Sequence, residues 1–134
     1  MTLRRENDVV FLNEATATGA GIPKIATDFR NATFEVATDG GGTANFTIKF
    51  QWSTSKEKPD FDSAVSVSNM WSYIEAIDLE DGSSIAGNTG VSTSWADLYK
   101  YFAANADGLR WYNVEVTTYS AGAVTVKGYL FSND

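Results

Sequence analysis

The sequence predicts an all-β protein, a single-domain antiparallel β-sandwich of about eight strands with jelly-roll-like character. Three observations predict it. Apolar residues alternate with polar ones, most clearly where Phe46, Ile48, Phe50 and Trp52 are separated by Thr47, Lys49 and Gln51, the pattern of a strand buried on one side. Glycine, asparagine and aspartate punctuate the chain at short intervals, as turns between strands require. The length of 134 residues suffices for one hydrophobic core and is too short for two.

Taken in order, the chain begins with Met1-Thr2-Leu3-Arg4-Arg5 and a short apolar run from Val9 to Leu12, followed by small and polar residues from Asn13 to Gly21. Residues 1–22 are therefore expected to form an extended N-terminal arm and residues 23–134 the sandwich. Ala32 to Thr38 carries Phe34 and Val36 in one phase. Asp39-Gly40-Gly41-Gly42 then supplies a turn that predicts a hairpin with the strand at Asn45 to Ser53. Lys56-Glu57-Lys58-Pro59-Asp60 reads as a loop, because proline cannot donate to a central ladder. Met70 to Leu79 reads as one strand with Trp71, Tyr73, Ile77 and Leu79 on one face, closed by an Asp81-Gly82 turn. Ser84 to Thr93, with Gly87 and Gly90, is expected to be irregular. Between Trp95 and Ala106, Leu98, Tyr99, Phe102 and Ala103 have helical spacing while Tyr99 and Tyr101 fit a strand. The β-rich surroundings favour the strand.

The last segment, Leu109 to Phe131, predicts a hairpin around Ser120-Ala121-Gly122, with Gly122 left-handed. That register sets Glu115 against Lys127, Thr117 against Thr125, Val116 against Val126, Tyr112 against Leu130 and Trp111 against Phe131. One face then carries Tyr112, Val114, Val116, Val124, Val126 and Leu130, a core surface. The opposite face ends in Trp111, Tyr129 and Phe131 as neighbours.

Composition narrows the function. A net charge of −7 argues against binding nucleic acid through phosphate neutralisation. The absence of histidine removes the commonest general base and metal ligand, and the absence of cysteine removes disulfides and thiolate sites. The N-terminus resembles neither a signal peptide nor a membrane span, so no membrane partner and no standard export are expected. Asn31-Ala32-Thr33 and Asn45-Phe46-Thr47 match the glycosylation sequon but carry no weight without secretion.

Two constellations remain. Seven acids, Glu57, Asp60, Asp62, Glu75, Asp78, Glu80 and Asp81, fall within one segment containing the single base Lys58. Asp60 with Asp62, or Asp78 with Glu80 and Asp81, have the oxygen chemistry of calcium ligands, and a pair of them has that of a glycosidase. No complete loop motif is present, and a solvated acidic face is the plainer reading, so no metal, cofactor or catalytic residue is expected. The aromatic group Trp111, Tyr129 and Phe131 suits a protein interface or a platform for sugar rings, unless the arm or a loop covers it. Arg4 and Arg5 beside an acidic body suit anchoring of the arm on another subunit. Trp52, Trp71 and Trp95 are expected to be structural.

Several motifs, in their order, resemble a group of small β-sandwich structural proteins of tailed bacteriophages and prophages. They are Lys58-Pro59-Asp60-Phe61, Asn69-Met70-Trp71, Gly87-Asn88-Thr89-Gly90, Asn105-Ala106-Asp107-Gly108-Leu109-Arg110-Trp111 and Ser120-Ala121-Gly122-Ala123-Val124-Thr125-Val126. The resemblance runs from about Thr43 to the end. It implies a non-enzymatic virion protein, a capsid decoration protein or tail accessory, made in the host cytoplasm. Its expected partners are the major capsid protein and copies of itself. The alternative reading is a carbohydrate-binding module of a tail or fibre, stacking a glycan on Trp111, Tyr129 and Phe131.

Overall fold

The computed structural model describes residues 4–27, 29–39, 44–93 and 99–133. Two antiparallel sheets pack face to face, and the strands in chain order are β1 (Arg4–Ala15), β2 (Gly19–Ala20), β3 (Lys24–Ile25), β4 (Asn31–Asp39), β5 (Asn45–Ser53), β6 (Ser72–Tyr73), β7 (Ala76–Asp78), β8 (Ser84–Ile85), β9 (Val91–Thr93), β10 (Tyr99–Asn105), β11 (Trp111–Ala121) and β12 (Ala123–Asn133). Sheet A runs β1-β12-β4-β10-β7-β8 and sheet B runs β2-β11-β5-β6, with β3 also on β11 and β9 also on β5. The β-sandwich expected from alternation is present, built from twelve strands of which six have only two or three residues.

Alternation assigns the interior correctly. Phe46, Ile48 and Phe50 of β5, Tyr112, Val114 and Val116 of β11, and Val124, Val126 and Leu130 of β12 are all buried. The centre is aromatic. Phe34 in sheet A lies 4.6 Å from Phe50 and 5.6 Å from Tyr112 in sheet B, ring centroid to centroid, and 5.6 Å from Phe11 of β1. The Tyr112 hydroxyl donates to Asn105 O, so the one polar atom on that ring is satisfied at the edge of the core.

Both expected hairpins are overturned. β11 pairs with β5, whereas β12 pairs with β1 and β4, so the link at Gly122 carries the chain from one sheet to the other. Gly122 is indeed left-handed, at φ 85°, and the Tyr119 hydroxyl donates to its carbonyl, closing the corner. Glu115 therefore faces Lys49, Val116 faces Ile48 and Trp111 faces Ser53, while Lys127 faces Glu35. The link between β4 and β5 likewise joins the two sheets. The physical reason is the same in both places. Two half-apolar strands satisfy their faces equally well side by side or one above the other, and in a sandwich the second arrangement lets each inner face cover the other.

The single strand expected over Met70 to Leu79 is also two strands. β6 belongs to sheet B and β7 to sheet A, with Ile74 N bonded to Phe50 O at the crossing. Trp71 and Tyr73 consequently face one side of the molecule, and Ile77 and Leu79 stand exposed on the other sheet. Ser84 to Thr93 contributes β8 and β9 where irregular chain is expected, and the strand reading of Tyr99 to Asn105 holds. The segment expected as an arm is laid along the sandwich, with β1 the edge strand of sheet A, in register from Arg4 opposite Asn133 to Val10 opposite Lys127. The Gly40 to Gly42 turn and Trp95 lie outside the described residues.

Three groups tie stability to alkaline pH. Burial raises the pKa of the Tyr112 phenol, burial and then the Glu115 carboxylate raise that of Tyr73, and Lys100 is raised chiefly by its hydrogen bond to Asp78. A raised folded pKa gives stability that is fully present below the unfolded-chain pKa of about 10 and is lost as pH rises through the folded value. Thermal melting is thus expected to be flat from neutral pH to about 10 and to fall steeply above it, with a shallower fall in Tyr112→Phe. A melting temperature unchanged to pH 12 would contradict this.

Candidate functional site

The two outer faces differ. That of sheet B is covered by the chain itself. Residues 54–71 fold back over β5 and β11, burying Phe61 and Trp71, whose ring centroids are 5.9 Å apart. Gln51 and Asn113, opposite each other in the ladder, are wholly buried beneath this cover. Gln51 Nε2 donates to Phe61 O at 3.0 Å and Asn113 Nδ2 to Gly21 O at 3.1 Å. Ser53 Oγ donates to Met70 O and Trp52 Nε1 to Tyr73 O, so each element under the loop has a bond that holds it down. Beside the cover, the Tyr73 hydroxyl donates to Glu115 Oε1 at 2.7 Å, with Lys49 Nζ 4.9 Å from the Tyr73 ring centre.

Trp111 belongs to this covered side. Its indole Nε1 donates to Ser55 O at 3.0 Å, and its backbone pairs with Ser53 and Ile25. The expectation that Trp111, Tyr129 and Phe131 share one face is corrected: Trp111 lies in sheet B, and the other two lie in sheet A. The error follows from the misassigned hairpin.

The outer face of sheet A carries no covering segment among the described residues, and it bears aromatic side chains on β12 and β10, on either side of β4. On β12, Tyr129 and Phe131 stack at 5.1 Å with an interplanar angle of 22°. On β10, Tyr99 and Tyr101 are 68% and 48% exposed, with Ile77 and Leu79 beyond them. Ladder register sets two rows across the sheet, Tyr101-Glu35-Lys127-Val10 and Ala103-Thr33-Tyr129-Asp8. Between Tyr101 and Tyr129 lies a depression of about 350 Å³, with Thr33, Glu35, Lys127 and Asp8 around it. The backbone of Arg4 and Arg5 runs beside Asn133 and Ser132, so β1 brings both arginines to the Phe131 end of this sheet. Four of the five expected contact residues are thereby gathered on sheet A.

Sequence reasoning missed Tyr99, Tyr101, Glu35 and Asp8. The signal was the alternation of Tyr99 and Tyr101 about Lys100, ahead of the buried Phe102, which points both tyrosines away from the core.

The acidic segment is divided between the two sides. Asp60 accepts from Ser63 Oγ at 2.7 Å in the covering loop, whereas Asp78 and Glu80 share the Lys100 ammonium at 2.9 and 3.4 Å on sheet A. The lysine occupies the space between those two carboxylates that a glycosidic bond would need. Asp81 accepts from Ser83 N, a turn bond that lowers its pKa. Among the described residues no group of three or more acids is arranged to hold a metal ion.

With this geometry in place, the fold has known counterparts. The chain is similar in fold to two solved proteins. One is the SPBc2 prophage-derived protein YomS, with TM-score 0.68 and 21% identity over 98% of this chain and 97% of that one. The other is the PBSX exported protein XepA, with TM-score 0.71 and 19% identity over 96% of this chain and 38% of that one. At such identities YomS and XepA share the architecture with this chain. No protein-family model matches the sequence, and no curated protein matches it.

Proposed function

We propose that this chain is a non-enzymatic structural protein of a tailed-phage particle, mounted on the outside of the capsid as a decoration or auxiliary protein. The observation that carries the reading is likeness in fold to the prophage-derived YomS along nearly the whole of both chains. The motif resemblance to phage β-sandwich proteins points the same way, and the arrangement of β1 suggests the means of attachment. β1 ends sheet A, and its outer edge between Arg4 and Val10 faces no other strand among the described residues. Such an edge accepts a strand from another subunit, through main-chain hydrogen bonds that need no pocket. The partners are the major capsid protein and neighbouring copies of the chain, and many weak contacts on a symmetric shell add through avidity.

Quantitative mass spectrometry of purified particles tests this. Many copies per particle are expected, reduced several-fold in Arg4→Glu/Arg5→Glu, where acidic residues replace the bases on an already acidic body. Particles that lack the protein would overturn the proposal.

A further inference from the structure

Ladder register gives the outer face of sheet A a symmetry of chemistry. Across β10, β4, β12 and β1 one row reads Tyr101-Glu35-Lys127-Val10, an aromatic and an aliphatic residue at the ends with an acid and a base between them. Tyr101 is 48% and Val10 41% exposed, and Lys127 is exposed as well. Among the described residues no ion pair joins Glu35 to Lys127, so neither charge is taken up within the chain. The flanking rows, Tyr99-Ala37-Thr125 and Ala103-Thr33-Tyr129-Asp8, carry no charge on β4 or β12. A face of this kind fits a second copy of itself, because in a two-fold contact residue i meets j while j meets i. Place the axis between β4 and β12, running along the strands, and β4 of one copy lies over β12 of the other, with β10 over β1. Glu35 is then set over Lys127 of the other copy, and Tyr101 over Val10 of the other copy, each twice. Other axes fail at the same row. An axis across the strands along this row sets Glu35 on Glu35 and Lys127 on Lys127, and an axis along β4 sets Glu35 on itself, so both bring like charges together in an interface.

We infer that the outer face of sheet A is the interface of a two-fold homodimer, centred on two crossed Glu35–Lys127 pairs and flanked by Tyr101 of each copy on Val10 of the other. Two sheets facing each other in this way repeat, between molecules, the aligned packing that sheets A and B make within one. Four strands span about 19 Å, and the length of β10 is about 23 Å, so the pair buries about 900 Å² in total. That is the small end of specific interfaces and suits a dimer with a dissociation constant in the micromolar range. The main-chain groups at the free edge of β1 point along the plane of the sheet rather than out of its face, so dimerisation and attachment through that edge are compatible. The inference rests on register and charge alone, and does not depend on where on a particle the protein is mounted.

Sedimentation velocity of the whole protein tests it, with dimer expected at about 100 µM and dissociation on dilution towards about 1 µM. Glu35→Lys and Lys127→Glu are each expected to weaken the dimer about a hundredfold, since each sets like charges against one another across the axis. An equimolar mixture of the two variants is expected to dimerise again. In that mixed pair Glu35 of the Lys127→Glu chain meets Lys127 of the Glu35→Lys chain, and the two substituted positions meet with opposite charge. A change confined to the fold of one chain cannot produce such a rescue. Tyr101 is half-exposed and outside the core, so Tyr101→Ala should weaken the dimer about tenfold with its melting temperature unchanged. A protein that is monomeric at about 100 µM would overturn the inference. So would a dimer that either charge variant leaves intact, or a mixture that stays monomeric. None of these results touches the capsid proposal, which is read on purified particles.

Discussion

Phe34→Ala is expected to cost about 3–5 kcal/mol, the largest loss from any single truncation in this chain, lowering the melting temperature by roughly 10–20 °C. Phe34 is wholly buried and touches rings from both sheets and from the edge strand, with Phe50, Tyr112 and Phe11 all within 5.6 Å. Removing it deletes the transfer free energy of a phenyl group and leaves a cavity that those three rings cannot fill without leaving their rotamers. Because both sheets lean on this ring, the loss should appear in all probes of unfolding at once. Denaturant melts followed by tryptophan fluorescence and by far-ultraviolet circular dichroism check this. A loss below about 1 kcal/mol would mean that the face-to-face packing of β4 on β5 is wrong.

Gly128→Val is expected to destabilise by about 1–3 kcal/mol, with most of the damage at β1. Gly128 lies on the inward side of β12, opposite Val9, and a Cβ there would come within 2.5 Å of Phe11 Cε2 and 3.1 Å of Val9 Cγ2. The Phe11 ring cannot swing aside, because it is itself buried against Phe34. The added side chain therefore either displaces β1 from the edge or forces Phe11 from the core. Hydrogen exchange should show faster opening of residues 8–12, with β11 and β5 much less affected. Phe11→Leu combined with Gly128→Ala should recover part of the loss of Gly128→Ala alone, since the two positions compete for one space. Strict additivity would argue against that contact.

Such couplings were only partly legible in the sequence. Period-two alternation marks which side of a strand is buried, and it identified the inner residues of β4, β5, β11 and β12 correctly. It does not say which strand lies alongside. Glu115 fits opposite Lys49 as well as opposite Lys127, and Lys127 fits opposite Glu35, so the charge pattern suited the wrong neighbour as readily as the right one. The strands of two or three residues, such as β8 and β9, are too short to show any period and depend on the long strands they join. The site was legible in the same proportion. Tyr129 and Phe131 stand out as aromatics on a polar face, which needs only alternation. Trp111 was placed with them through the hairpin, and fell when the hairpin did. Tyr99 and Tyr101 were hidden because their segment fits helical spacing as well as a strand.

The pairing of β1 with β12 also governs how the chain acquires its structure during synthesis. β1 is made first, yet its ladder partner is the last strand, with Arg4 opposite Asn133 and Val9 opposite Gly128. Sheet A cannot be completed as the chain emerges: β1 must wait, with Phe11 and Leu12 uncovered, until the end of β12 has left the ribosome. Closure of the sandwich is then a single late event joining the two ends of the described chain, and the interval before it is when the nascent protein is most prone to aggregate. Joining residues 4 and 133 by a short linker and opening the chain at an exposed turn such as Asp81-Gly82 would bring β12 and β1 together from the start, and should speed refolding without altering the folded state.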